Sequence, residues 1–136
     1  MKQENKELLL KDLCARLPYG VKCQVKEDEY VYNGTLCRIE VDNRNGHLLD
    51  FNESINGFDC QVYLSEVKLY LFPMSSMTEE QKEEYCHLQQ KIIYNSKGLV
   101  NTDIMEYINW CYKNHLDVNG LIKKGLANDA TGLNIY

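Results

Sequence analysis

The sequence lacks several features that identify particular classes of protein. No apolar run approaches the ~20 residues that a helix needs to cross a bilayer, so membrane insertion is excluded on length. No Cys-x-x-Cys pair occurs, and the first residues, MKQENKELLLKDL, do not have the layout of a signal peptide. Internal repeats, low-complexity segments and linkers are also missing. Residues 1–136 are therefore expected to form one domain that is not inserted in a membrane.

Common catalytic and nucleotide-binding motifs are missing as well. The sequence contains no GxxxxGKS/T, GxGxxG, HExxH or GxSxG. Cys111 and His115 are four residues apart and would share a helix face, but zinc takes three or four ligands and no companion pair is visible. We therefore predict no catalytic residue, no metal and no cofactor. The sequence does not decide whether the protein is an enzyme, and we favour the view that it is not.

The six cysteines could in principle form three disulfides, but their positions favour free thiols. Nearly every one occupies an apolar periodic position, where a thiol behaves as a small hydrophobic side chain. Reduced thiols without a secretion signal predict a cytoplasmic protein. The cysteines are Cys14, Cys23, Cys37, Cys60, Cys86 and Cys111.

Charge is spread evenly along the chain. The formal net charge is −5, with 9 basic and 12 acidic residues in positions 1–75 and 6 basic and 8 acidic residues in the remainder. Affinity for a phosphate backbone depends on clustered Lys and Arg, so this distribution disfavours nucleic-acid binding. An alternative is that nucleic acid binds to the sheet, where Lys22, Lys26, Arg38 and Arg44 would gather on one face.

The first half of the chain predicts one helix followed by short strands. Leucines spaced three and four residues apart indicate an amphipathic helix from Glu4 to Leu17, with Asp12 and Arg16 on its polar side. Pro18-Tyr19-Gly20 ends this helix, and alternating apolar residues then predict strands between residues 21 and 72. Gly34 is expected to form a bulge or a bend, and Asn45-Gly46 a tight reversal.

The second half predicts helices. Pro73 ends a strand from Val67 to Phe72, and Thr78 with Gln81 forms a capping box at the start of a helix. Spacing places the inward row of this helix at Tyr85, Leu88, Ile92 and Ile93. Another helix is expected from Asn101, with an apolar stripe of Ile104, Ile108, Cys111, Tyr112 and His115, and a short third one from Val118 to Lys124. The predicted fold is α+β. It begins with an N-terminal helix (1–20) and a small, strongly bent antiparallel sheet of four to five strands (21–72), for which a barrel-like sheet is an alternative. A cluster of two to three helices (78–126) and a tail (127–136) follow.

Two groups of residues in the helical part are candidates for binding. Glu79, Glu80, Glu83 and Glu84 form an acidic helix face, which is either a solvated first turn or a surface that docks a basic partner or mimics nucleic-acid phosphate. Trp110 lies off the apolar stripe, close to Tyr107. A tryptophan in such a place either closes a second packing layer or anchors a protein partner.

A second kind of site would lie between the sheet and the helices. There His115, Asp117 and several tyrosines would line a pocket of a small enzyme or ligand-binding domain. A deep polar pocket with a perturbed histidine or carboxylate would support this alternative, and a closed interface would remove it.

Two blocks of sequence carry a resemblance to a known group of proteins. The first runs from Lys68 to Glu80 (KLYLFPMSSMTEE), and the second from Trp110 to Ala130, including Gly120-Leu121-Ile122. Both resemble small proteins of unknown function encoded in phages, prophages and mobile elements of gut Bacteroidetes. The resemblance implies a genomic setting and no reaction. Combined with the acidic, motif-free composition, it predicts an accessory protein that acts by binding a host or phage macromolecule, with a protein as the expected partner.

Overall fold

The computed structural model describes residues 1–42, 46–52, 62–94 and 101–136. Asn45 of the predicted reversal lies outside these residues, as do positions 58–61 of a further short strand that the sequence predicts from Phe58 to Tyr63. The elements are α1 (Gln3–Arg16), β1 (Lys22–Glu27), β2 (Tyr30–Glu40), β3 (Leu48–Phe51), β4 (Val62–Tyr63), β5 (Val67–Leu71), α2 (Glu79–Tyr94), α3 (Asn101–Lys113) and β6 (Ala127–Asp129). No helix in the described ranges has the length and apolar character needed to span a membrane.

The described strands form one open, mixed sheet in the order β4-β3-β2-β1-β5-β6. Strands β1 to β5 pair antiparallel, as predicted, whereas β6 pairs parallel with β5 through Leu69 and Ala127. The α+β prediction is confirmed, but the barrel alternative is wrong because the sheet is not closed. Part of the predicted tail is therefore a sixth strand.

Helix α1 covers one face of this sheet. Its apolar residues lie three and four positions apart, and β1 alternates between buried and accessible residues, so each presents one apolar side. The two apolar sides meet in the main core. Its central members are Leu9 and Leu13 of α1, Val21, Cys23 and Val25 around β1, and Leu69 and Leu71 of β5.

The predicted bulge at Gly34 is wrong. Gly34 pairs in regular register with Cys23, and the register of β2 shifts between Leu36 and Arg38 instead. A Cβ at position 34 would lie 3.0 Å from the Cβ of Phe51, so glycine allows the close approach of these strands.

Helix α2 begins where the capping box predicts. The Gln81 amide donates to the Thr78 hydroxyl at 3.1 Å, and the Thr78 amide donates to the Gln81 side chain at 3.0 Å. The predicted third helix is wrong: residues 118–125 form turns, with Gly120 at φ +69°. Left-handed backbone at this position interrupts a right-handed helix. The described C-terminal helices are therefore two.

Candidate functional site

Helices α2 and α3 form a hairpin that packs through an aromatic seam. The ring centroid of Tyr85 lies 5.8 Å from that of Tyr107 in an edge-on arrangement and 6.4 Å from that of Trp110. Such tilted and edge-on pairs stabilise packing beyond the area that they bury. No described residue of either helix belongs to the main core between α1 and the sheet. The hairpin therefore has a packing seam of its own, and α3 also contacts α1, where Cζ of Arg16 lies 4.8 Å from the ring centroid of Tyr112.

One edge of this hairpin brings the tryptophan and the acidic helix together. The indole Nε1 of Trp110 donates to Glu84 Oε2 at 2.6 Å, and Trp110 itself is half-buried. Further along the same edge, Lys91 Nζ lies 3.5 Å from Glu106 Oε1. Residues 84 and 91 of α2 are seven apart and residues 106 and 110 of α3 four apart, so both pairs lie on the same side of the hairpin. We call this side the Trp110 edge.

The acidic residues of α2 are accessible. Glu79, Glu80 and Glu83 are exposed, as is Glu84 beside the indole. Lys82 Nζ lies 3.1 Å from Glu79 Oε1, so one of the four carboxylates has a cationic neighbour in the same turn. The first two turns of α2 therefore present a net negative surface next to Trp110.

Exposed apolar side chains also occur on both helices, on the side of the hairpin away from the Trp110 edge. Met105 is 59 % exposed and Ile108 is 37 % exposed, and their spacing of three places them together on α3. Ile93 of α2 is 65 % exposed, although the helical pattern places it in the inward row. The prediction for Ile93 is wrong, and Ile108 lies at the margin of the buried stripe. Met105 was not singled out, because periodicity alone does not show which apolar residues lack a covering element.

His115 and Asp117 lie at the junction of the hairpin with β5. The His115 carbonyl accepts from the Phe72 amide at 2.8 Å, and the Asp117 amide donates to the Phe72 carbonyl at 2.8 Å. This bridge holds the segment after α3 against the end of the sheet. His115 has a positive φ of 57°, which ends the helix before it and turns the chain.

The imidazole of His115 is enclosed by packing. It stacks on Tyr136 with ring centroids 3.6 Å apart. Burial, and secondly the Arg16 guanidinium, lowers the pKa of His115 to about 4. Its Nδ1 is buried without a hydrogen-bond partner in the part of the chain that the structure describes.

The Asp117 carboxylate is used for backbone capping. Its oxygens accept from the Leu121 amide at 2.7 Å and the Ile122 amide at 3.0 Å. These bonds order the turns that replace the predicted third helix. Neither His115 nor Asp117 lines the described cavities, so a ligand role for them stays a prediction.

A buried ion pair beside this junction was not expected from the sequence. Asp12 and Arg16 were placed on the polar side of α1, yet both side chains are 0 % exposed, with Arg16 Nε donating to Asp12 Oδ1. Arg16 Nη2 also donates to the Leu116 carbonyl at 2.7 Å, and Asn119 Nδ2 donates to Asp12 Oδ2 at 2.8 Å. The pair therefore ties α1 to the segment after α3. Its sequence signal is the spacing of opposite charges by four, within an apolar helix.

The described cavities lie elsewhere. The larger, about 530 Å³, lies between the first turns of α1 and the sheet, where Lys6, Glu7, His47 and Tyr63 line it. In the described ranges, no group of three His, Cys, Asp or Glu residues is arranged to hold a metal ion. Burial raises the pKa of the Cys111 thiol, which disfavours the thiolate that a metal ligand requires.

No protein-family model, no curated protein and no solved structure matches the chain.

Proposed function

We propose that this is an accessory protein of a phage or mobile element that binds a host or phage protein and carries out no catalysis. The α2–α3 hairpin supplies the binding surface, through the Trp110 edge and the exposed glutamates of α2. Cytoplasmic action and the phage setting are parts of the same proposal, supported by the cysteine usage and by the resemblance of the two sequence blocks.

The observation that carries the proposal is the contact between Trp110 and Glu84. It places a large aromatic side chain at the surface junction of two helices, within an acidic surrounding. Tryptophan is enriched among residues that dominate binding energy, because its ring buries a large area and its N–H supplies a directed hydrogen bond. When a partner approaches, the indole and the carboxylate are already oriented, so little further ordering is needed.

The surroundings of Trp110 define the chemistry of the partner. The half-buried indole, packed beside Tyr85, favours an apolar contact, while exposed Glu80, Glu83 and Glu84 on α2 favour Lys and Arg of the partner. Interfaces commonly combine an apolar centre with a polar rim that sets orientation and association rate. The expected partner is thus a protein with a shallow apolar patch bordered by basic residues.

A pair of matched charge reversals tests this surface. Glu80→Lys with Glu83→Lys changes the second and fifth residues of α2, and Glu4→Lys with Glu7→Lys changes the second and fifth residues of α1. Both double variants alter exposed residues in the first turns of a helix and change the net charge equally. Full-length wild-type and variant proteins serve as baits in host lysate, and recovered proteins are quantified.

We expect the α2 double variant to lose a specific partner that the α1 double variant still binds. Trp110→Ala, shown to be folded by circular dichroism, should weaken binding of that partner at least about 30-fold, the effect of a residue worth 2 kcal/mol. Equal recovery with both double variants, or no specific recovery with the wild type, would contradict the proposal.

A further inference from the structure

The face of the sheet opposite α1 is accessible and carries its own charge pattern. In β1, Cys23 and Val25 point into the core, so Lys22, Gln24 and Lys26 point to the other side. The register places Asn33 of β2 and Lys68 of β5 on either side of Gln24. We call this surface the outer face.

The outer face is basic, although the chain as a whole is acidic. Across the paired positions 22, 24, 26, 31, 33, 35, 68, 70 and 128 there are three lysines and no Asp or Glu, and further along β2 and β3 the same face carries Arg38, Glu40 and Asp50. The net charge of the chain is −5. Lys26 and Lys68 are exposed, and Lys22 is half-buried. Among the described residues, none of these three lysines makes an ion pair. Their positive charge therefore faces solvent without an internal counter-charge.

Hydrogen bonds hold the polar groups between the lysines in place. The Tyr70 hydroxyl donates to Asn33 Oδ1 at 2.8 Å, and Asn128 Nδ2 donates to Gln24 Oε1 at 3.4 Å. At one end, the Tyr136 hydroxyl accepts from the Lys22 amide at 2.9 Å and donates to the Tyr70 carbonyl at 2.7 Å. The Tyr136 hydroxyl thus connects β1 and β5 at Lys22 and Tyr70, just beyond the last residue pair of these strands, Cys23 and Leu69. Together, the four bonds order the polar groups of the outer face.

The lysines follow a zigzag row in the order Lys22, Lys68 and Lys26. Lys22 and Lys26 are four residues apart on β1, a separation of about 13 Å at the strand rise of ~3.3 Å per residue. Lys68 lies opposite Gln24, diagonal to both, at about 7–8 Å from each. A row of cations at even steps is complementary to a polymer with evenly repeated anions.

We propose that the outer face binds single-stranded nucleic acid through its phosphates, with Lys22, Lys26 and Lys68 as the contacts. The zigzag row favours a polyphosphate backbone over an acidic protein, whose carboxylates have no fixed repeat. The amides of Gln24, Asn33 and Asn128 lie between the cations and can bond phosphate or base edges. Tyr70 is buried, so the affinity comes from charge and not from base stacking.

This set of contacts differs from the one that the sequence predicts. Lys22 and Lys26 are retained, but Arg38 Nε donates to Asp50 Oδ2 at 2.6 Å, and Arg44 lies outside the described residues. Lys68 replaces them, because the pairing of β5 with β1 brings it into the row.

Fluorescence anisotropy with a short labelled oligo(dT), and with oligo(rU), measures the interaction on the full chain. Three phosphate contacts to a single strand give a slope of log affinity against log salt of about −2, or a loss of about 20-fold between about 50 and 200 mM salt. Each single Lys→Gln change at positions 22, 26 and 68 should reduce the slope by about 0.7, and the triple variant should abolish binding. The control is an α1 triple variant that combines Lys2→Gln, Lys6→Gln and Lys11→Gln, three positions on or next to α1. It changes the net charge by the same amount as the sheet triple variant.

The outcomes separate the alternatives. Salt-dependent binding that is lost in the sheet triple variant and retained in the α1 triple variant supports the proposal. Absence of binding at about 50 mM salt, or equal loss in both triple variants, overturns it. Competition gives a further test, in which polyglutamate and unlabelled oligo(dT) are compared at equal concentrations of charged groups. If polyglutamate displaces the labelled oligonucleotide at the lower concentration, the proposal is overturned in favour of an acidic protein segment.

Discussion

The buried Asp12–Arg16 pair allows the sharpest test of how this fold is held together. Both side chains are 0 % exposed, and Arg16 bonds the Leu116 carbonyl as well as Asp12. Removing one charge of a buried pair leaves the other uncompensated and costs about 3–5 kcal/mol. Asp12→Leu and Arg16→Met, each alone, should therefore destabilise the protein by about this amount.

The corresponding loss in melting temperature can be estimated from the chain length. An unfolding entropy of about 2.1 cal/mol/K per residue over 136 residues converts 1 kcal/mol to roughly 3.5 °C. Each single variant should thus melt about 10–17 °C below the wild type. Calorimetry and urea unfolding both measure this change.

The double variant Asp12→Leu with Arg16→Met gives the opposite expectation. Arg16 Nη1 is already buried without a hydrogen-bond partner among the described residues, so the native pair is imperfectly compensated. Replacing both charges by apolar residues of similar volume is often neutral, or stabilising by about 1–4 kcal/mol. The double variant should accordingly be more stable than either single variant. A double variant destabilised by the sum of the two single effects would show that the charges are not coupled, and would refute the reasoning.

Two further variants test separate contacts. The pKa of His115 is lowered to about 4, so the folded protein favours the neutral imidazole, and stability is lost as pH falls from about 6.5 to 4. After allowance for the accessible part of the ring, this loss is about 1–2 kcal/mol; His115→Asn should remove it from the pH dependence of urea unfolding, whereas parallel curves for the two proteins would contradict the assignment. Gly34→Ala places a Cβ 3.0 Å from Phe51, and we expect a loss of about 1–3 kcal/mol in urea unfolding; an unchanged midpoint would show that β2 and β3 can move apart.

Local signals in this sequence predict structure well, and long-range pairing accounts for the differences. Thr78 and Gln81 are three residues apart and satisfy each other, so their cap could be predicted without the fold. Strand β6 could not, because its partner β5 precedes it by more than 50 residues and its three residues are too few to show a period. The turns after Asp117 were mistaken for a helix since the apolar spacing is helical, while Gly120 takes a left-handed conformation.

The same difference between local signals and long-range contacts applies to the candidate surfaces. Trp110 and the glutamates of α2 were identified from their positions on helices, where spacing sets which residues are neighbours. Burial of Asp12 and Arg16 depends on the segment after α3, about 100 residues away, so the spacing of the two charges by four does not by itself predict it. Lys68 was not among the predicted cations, because its place beside Lys22 and Lys26 depends on the register of β5 with β1.

The two proposed surfaces have opposite charge, and high salt should distinguish them. At about 1 M salt the Debye length is ~3 Å, so exposed charges no longer attract at a distance. The Trp110 edge combines its carboxylates with the indole of Trp110, whose apolar contact does not depend on salt. The three lysines of the outer face have no comparable aromatic anchor, because Tyr70 is buried. Binding of a protein partner should therefore weaken but persist at about 1 M salt, whereas nucleic-acid binding should vanish; persistence of the latter would show that the lysines are not its main contacts.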